Sequence, residues 1–418
     1  MSAIFWGVLT FSILIVLHEG GHFLAARFFG IKVHEFMVGL PGPALRFRGK
    51  ETTYGVTMIP LGGYVRIAGM EPGDEDELLP LAIKEAALVD RIDAATLSTR
   101  LGVERNRAAA ILATLADWGA VEPATDDDVS YVSTVRAEES TDVTGLYESV
   151  RSRTYRGLST WKRIAILAMG VTVNILTAIL IFTVVLTAWG VDVPSLAISG
   201  VQEGSPAAEA GLQEGDVILA VDGRRVSDWY ELINLLAIRP AGDTAELVWE
   251  RDGRELSAAI TFAESPDTGA AYLGISAGEV VHVDLNVFEA FVESLQWTRD
   301  TFALIIAFFN PATFELVAQN ARSVIGISVE AANVVKYGKA VGYAQFIALL
   351  SLSLGVMNIL PIPPLDGGKV AIEIIEKVGG RPLGRRVQYG LSITGALLLF
   401  SLIGYLMYAD VVRYFLEA

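Results

Sequence analysis

The sequence predicts a multi-pass α-helical membrane protein with about four transmembrane helices, a short β-rich region after the first, and two globular segments outside the lipid. Three observations carry that class. The 418 residues are 52% hydrophobic with a mean hydropathy of +0.46, above the range of ordinary soluble chains. Four apolar runs are each long enough to cross a hydrocarbon core as a helix. Between them the pattern changes to short strands with turn residues, or to amphipathic helices rich in acid. The absence of cysteine excludes a disulfide framework and thiolate ligands, so a bound metal must use His, Asp or Glu. A net charge of −16 argues against a surface that holds nucleic acid or anionic lipid as a whole.

The elements follow in chain order. Residues 1–30 form the first span, an apolar run from Ile4 to Phe29 interrupted only by His18, Glu19 and His22 before Arg27. Met1 to Phe11 carries no positive segment, so the run reads as a retained helix rather than a cleaved signal. A membrane-associated β region is expected over 31–72 and a globular insert over 74–148. Further spans are expected at 161–189, 341–378 and 386–412. A strand-rich domain is expected over 195–265 and a helical segment over 266–340, where Phe288 to Phe309 is amphipathic and suits either the membrane surface or the strand-rich domain. Arg27, Lys32, Arg46, Arg48 and Lys50 follow the first span, Arg151, Arg153, Arg156, Lys162 and Arg163 precede the second, and Arg381, Arg385 and Arg386 precede the fourth. Basic residues mark the cytoplasmic side. The insert is therefore expected in the cytoplasm, and the 195–265 domain and both termini outside.

The insert has helical periodicity in LPLAIKEAALVDRI, in AATLSTRL up to a turn at Gly102, and in RNRAAAILATLADW up to Gly119, then strand-like residues near Val121 and Val129 to Val132. That order resembles a winged helix-turn-helix. DNA binding is disfavoured all the same, because 17 acidic against 6 basic side chains give this segment a net charge of −11 and phosphate contacts dominate DNA affinity. A protein partner of unknown identity, or a gating role, is expected instead. In the outer domain, Gly204-Ser205-Pro206-Ala207, Ala210-Gly211-Leu212, Gly215-Asp216 and Val221-Asp222-Gly223 resemble a PDZ domain of the bacterial protease-associated kind, and Asp252-Gly253 marks a hairpin. Two roles stay open there: binding an extended peptide along a sheet edge, or acting as a spacer that keeps bulky ectodomains from the membrane.

The chemistry centres on His18-Glu19-Gly20-Gly21-His22. Residues four apart share a helix face, so both imidazoles can reach one zinc ion with Glu19 beside it as general base. Ionisable groups within a span are costly and imply function by default. A catalytic zinc normally takes three protein ligands. The best third candidate is Asp366 in NILPIPPLDGG, where three prolines break the helix at membrane depth; the alternative reading is a helix-capping aspartate. His34 and His282 stand outside these motifs and read as surface or loop residues.

HEGGH in the first span and NILPIPPLDGG in the third, in that order around an outer PDZ-like domain, resemble the site-2 protease family of intramembrane metalloproteases, over nearly the whole chain except the insert. The resemblance implies Zn²⁺ held by His18, His22 and Asp366, Glu19 as catalytic base, and a core of the first three spans in a bacterial inner membrane. Gly170 and Asn174 match a motif of the second span in which the asparagine engages substrate. Asn358 matches an asparagine beside the active site. Met58 to Gly69, which contains Gly62, Gly63 and Tyr64, resembles the family's membrane-dipping β-hairpin, whose edge would pair with an unwound substrate strand. The implied substrates are single-span membrane proteins such as anti-sigma factors or remnant signal peptides. Two other classes compete: a non-catalytic PDZ scaffold or sensor, and a transporter built on the broken third span. A complete HExxH-plus-Asp set argues against the first, and a single broken helix against the second.

Overall fold

The computed structural model describes residues 3–39, 41–58, 62–70, 75–124, 127, 129–226, 229–237, 242–264, 271–308, 321–381 and 383–412. It divides into two compact units, one of Met1–Phe182 with Glu293–Ala418, the other of Thr183–Val292.

In the first unit, α1 (Ala3–Phe28) is 26 residues long, about 39 Å at the helical rise, enough to cross a bilayer core of about 30 Å. A four-stranded sheet follows, from β1 (Val33–Val38), β2 (Ala44–Arg48), β3 (Thr53–Thr57) and β4 (Gly63–Ile67), in the order β2-β3-β1-β4. β1 pairs with β3 in parallel and with β4 in antiparallel register. This corrects the expected hairpin. Residues 59–61 of the Met58 to Gly69 string lie outside the described residues, and its strand β4 pairs with β1, not with its sequence neighbour β3, so among the described residues it forms an open edge. The hairpin is β2–β3, where Leu45 faces Val56 and Phe47 faces Tyr54 on one exposed apolar face.

The insert begins, among the described residues, at Glu75. It contains α2 (Leu79–Ala87), β5 (Arg91–Asp93), α3 (Ala94–Leu101), α4 (Arg105–Asp117), β6 (Val121–Pro123), β7 (Ser130–Ser133) and α5 (Val143–Arg151). Its strands pair in the order β5-β7-β6. Asp93 caps α3 by accepting the Thr96 N–H at 2.7 Å, and Gly102 ends that helix in the left-handed region. Leu79, Ile83, Leu97, Ile111, Leu112, Leu115 and Val150 share one core, so the segment runs past the expected end at Glu148 to Arg151.

α6 (Thr160–Trp189) starts in this unit, and its Ala178 and Phe182 pack with Trp297 of α9 (Val287–Phe308) and with Ala348 and Leu352 of α10 (Val324–Ile359). Trp297, Phe302 and Ile305 of the amphipathic segment thus pack against an apolar cluster of α6 and α10. α10 begins 17 residues before the expected start of the third span and bends at Lys339, whose φ is +53°. It stops at Ile359, and a separate helix, α11 (Asp366–Gly379), follows; the segment expected over 341–378 is thus two helices with the break at its three prolines, because those at 361, 363 and 364 cannot continue the helical ladder. α12 (Arg385–Val411) completes the unit; its buried Asp410 accepts the N–H groups of Ser323 at 2.7 Å and Gly326 at 3.1 Å at the start of α10. α1, α6, α10 and α12 are long and apolar enough to cross a membrane.

The second unit holds β8 (Val191–Pro194), β9 (Ile198–Val201), α7 (Pro206–Glu209), β10 (Val217–Val221), β11 (Arg224–Arg225), α8 (Trp229–Ala237), β12 (Thr244–Arg251), β13 (Arg254–Thr261), β14 (Ala263–Glu264), β15 (Ala271–Tyr272), β16 (Ile275–Ala277) and β17 (Val280–Val283). Its main sheet runs β11-β10-β12-β13. Asp252-Gly253 makes the expected tight turn, both residues at positive φ, and Asp222-Gly223 makes another. The domain exceeds the expected 195–265, of which residues 227–228, 238–241 and 265 lie outside the described residues. β16 pairs with β9, β17 pairs with β8, and Leu273 is buried in the core, so 271–283 is strand rather than part of a helical segment.

Candidate metal centre

α1 carries His18 and His22 one turn apart, both buried against α6. Asp366 reaches them from 344 residues beyond His22, because α10 ends and the chain doubles back into α11, of which Asp366 is the first residue. Glycines make that path possible: a Cβ at Gly368 would stand 2.7 Å from Pro363 Cα. Asp366 Oδ2 lies 3.0 Å from Nε2 of His18 and 3.0 Å from Nε2 of His22, and the two Nε2 atoms are 3.4 Å apart. Lys369, one turn along α11, places its Nζ 3.3 Å from the other carboxylate oxygen, Oδ1.

These side chains fit a tetrahedral zinc. Metal–ligand bonds of about 2.0–2.1 Å put neighbouring ligand atoms about 3.3 Å apart, close to the three separations found. A metal answers the question of what three buried, mutually facing polar groups are for, since each ring nitrogen and the carboxylate oxygen point at one spot. The ring orientation agrees. His22 donates from Nδ1 to the Ile166 carbonyl at 2.8 Å, which leaves the Nε2 lone pair for that spot. Helix α6 can approach because Gly21 and Gly170 lack side chains. A Cβ on Gly170 would lie 2.8 Å from His22 Cε1 and 3.0 Å from His18 Cε1.

Glu19, half-buried, follows His18 on the helix, and the start of β4 runs beside it: a Cβ on Gly63 would stand 3.2 Å from Glu19 Cγ. Gly62 takes a left-handed conformation, φ +96°, and its carbonyl accepts the Gly39 N–H at 2.6 Å. Tyr64 donates its hydroxyl to Glu35 Oε2 at 3.0 Å. Asn174 is fully buried with its amide 3.3 Å from His18 Nδ1. Asn358 donates to the Leu354 carbonyl at 3.0 Å and so closes the last turn of its own helix.

Sequence reading missed two participants. Lys369 carried a signal, the three-residue helical spacing from Asp366; the Ile166 carbonyl carried none, because a backbone acceptor has no residue code. His34 and His282 lie outside the cluster, as expected, yet neither is in a loop. His34 sits on β1 with Nε2 2.7 Å from the Asp117 carbonyl at the end of α4, and its desolvation holds its pKa below the ordinary value. His282, exposed on β17, has its pKa raised by a hydrogen bond to Asp192.

A profile of Peptidase family M50 matches residues 6–402. The chain is 26% identical over 419 residues to a protein named zinc metalloprotease RasP from Geobacillus kaustophilus, covering 98% of this chain and 97% of that one. It is 25% identical to the regulator of sigma-W protease RasP of Bacillus subtilis, with 98% of both chains covered, and 28% identical to metalloprotease MmpA of Caulobacter vibrioides, with 96% and 94% covered. Among solved structures, the PDZ domain of an SdrC-like protein from Listeria monocytogenes is 24% identical over 21% of this chain and 90% of that one, with a TM-score of 0.19.

Proposed function

Because the chain belongs to Peptidase family M50, we propose that it is a zinc-dependent endopeptidase of the membrane, and that it cuts the membrane-spanning segments of single-span proteins such as anti-sigma factors or remnant signal peptides. One observation carries the reading: two imidazoles of an apolar helix and a carboxylate from a proline-broken turn converge on one buried point. Zinc, when held by His18, His22 and Asp366, polarises the scissile carbonyl and makes water more acidic.

The chain's own residues do the rest. Glu19 takes a proton from the attacking water and passes it to the leaving amine, so no covalent enzyme intermediate is required. The Ile166 carbonyl fixes the His22 ring, and Lys369 holds the second oxygen of Asp366, so neither ligand has to reorient as charge develops. A helical substrate hides its carbonyls in internal hydrogen bonds. The open edge of β4, which starts against Glu19, supports a clamp in which the unwound stretch adds as a further strand. The exposed apolar face of the β2–β3 hairpin suits contact with lipid.

The Lys/Arg clusters support an orientation with the insert in the cytoplasm and the 191–283 domain outside. We read that domain as PDZ-like, a site for peptide or a size filter, and the insert as a winged helix. The insert's acidic surplus and the pairing of Arg107 with Asp76 and Glu77 favour a basic protein partner over nucleic acid.

The test is Glu19→Gln in the full-length protein. It is expected to keep zinc and the fold while cleavage of a co-expressed single-span substrate falls by about 10²–10⁴-fold. Undiminished cleavage removes Glu19 from the mechanism.

A further inference from the structure

We infer that Asn174 is a positioning residue of the metal centre: its side-chain oxygen accepts the Nδ1 hydrogen of His18 and so presents the Nε2 lone pair of that ring to the point shared by His22 and Asp366. The inference rests on the metal-centre reading above and assigns the asparagine to the ring rather than to substrate.

Three observations lead there. The amide is fully buried, 3.3 Å from His18 Nδ1, and Nδ1 is the ring atom turned away from Asp366. With the amide nitrogen toward the ring, Nδ1 must accept, the hydrogen moves to Nε2, and the ring cannot ligate. That arrangement also leaves Asn174 Oδ1 buried without a hydrogen-bond partner among the described residues, which is costly. A half turn of the amide exchanges oxygen and nitrogen within the same space, pairs the oxygen, and frees Nε2. The third observation is the neighbouring ring. His22 meets the same helix, α6, through a group that can only accept, the Ile166 carbonyl at 2.8 Å. One helix thus sets the tautomer of both ligands, once with a backbone carbonyl and once with a carboxamide. The Asn174 backbone is itself tethered, its carbonyl accepting from Ser351 Oγ of α10 at 3.0 Å, so the side chain starts from a fixed point.

The experiment uses purified full-length protein in detergent, with zinc affinity measured by chelator competition alongside kcat and KM on a single-span substrate. Asn174→Leu, near in volume but with no acceptor, is expected to weaken zinc by about 10- to 100-fold; Asn174→Ala serves in its place should the Leu variant fail to fold. Asn174→Asp keeps an oxygen facing Nδ1 and is expected to hold zinc within about threefold of wild type. Unchanged zinc affinity in the Leu variant with KM alone raised overturns the inference in favour of substrate contact. Equal weakening in the Leu and Asp variants overturns it in favour of packing. A wild-type protein that takes up no zinc overturns the metal-centre reading itself, a result distinct from the other two.

Discussion

The central turn of α1 and the insert treat their polar side chains in opposite ways. In the insert, Arg100 meets Glu85, Arg107 meets Asp76, and Arg151 meets Glu75, all near the surface and pair by pair, over a core of Leu79, Ile83, Leu97, Leu112 and Leu115 that holds no charge. Such exposed pairs are screened by solvent and individually replaceable. In α1, two imidazoles and one distant carboxylate are buried together and aimed at one spot. Burying polar groups costs free energy unless something pairs them, so their presence in an otherwise apolar helix is explained by a ligand, not by folding. The insert disperses its polar groups in surface pairs, and the α1 turn concentrates them at one spot.

The sharpest break of that contrast comes from one substitution in each region. Asp366→Ala is expected to lower cleavage by ~10³-fold or more and to release zinc, while the four apolar helices stay folded. Leu112→Ala should cost the insert about 2–5 kcal/mol through a cavity and leave zinc stoichiometry at wild type. Metal analysis and thermal unfolding of both variants check this. Zinc loss in Leu112→Ala, or zinc retention in Asp366→Ala, would erase the distinction.

A smaller effect is expected at the sheet edge. Gly39 donates to the Gly62 carbonyl, and Tyr64 lies two residues along the same register opposite Met37, so the backbone groups of Tyr64 face β1 and those of Val65 face the open side. Val65→Pro removes a free N–H without touching the ladder. It should lower kcat/KM by about tenfold, the worth of about one hydrogen bond, with zinc unchanged. Tyr64→Pro should instead disrupt β4 itself. Full activity of Val65→Pro would show that substrate does not add to this edge.

What the sequence could and could not reveal follows the same division. The long apolar helices α1, α6 and α12 were legible to within a few residues, because apolar runs need no partner to be recognised. The insert's helices were legible from periodicity and the turns at Gly102 and Gly119, and the outer hairpin from Asp252-Gly253, whereas the Asp93 cap and the Asp222-Gly223 turn went unread. HEGGH supplied two members of the cluster from spacing alone. Sheet order was not legible: β4 pairs with β1 across 25 or more residues, and no local pattern distinguishes that from a hairpin with β3. The end of the outer domain was missed for the same reason, since β16 completes it from beyond residues 265–270. The tautomer partners on α6 were hidden because a backbone carbonyl leaves no trace in the sequence and an asparagine in a span fits several roles.

The smallest expected effect concerns the joint between sheet and insert. His34 on β1 bonds the Asp117 carbonyl, Gly69 donates its N–H to Asp117 Oδ2 at 2.7 Å, and Arg66 and Lys32 reach Asp117 and Glu122 across the same joint. Burial keeps His34 neutral in the folded protein and so depresses its pKa below the ordinary histidine value of about 6.5. Across the window below that value the unfolded chain binds the extra proton and the joint does not, so the joint is at full strength above it and weakens as pH falls toward the folded pKa. Protection against hydrogen exchange at residues 66–69 and 117–119, corrected for the intrinsic rate at each pH, should therefore fall between about pH 7.5 and 5.5, and His34→Phe should flatten that dependence while leaving protection in α1 untouched. Protection that stays constant with pH in the wild type would mean that the other contacts of Asp117 hold the insert without His34. Faster exchange that spread into the His18–His22 turn would join two regions that differ in every other respect.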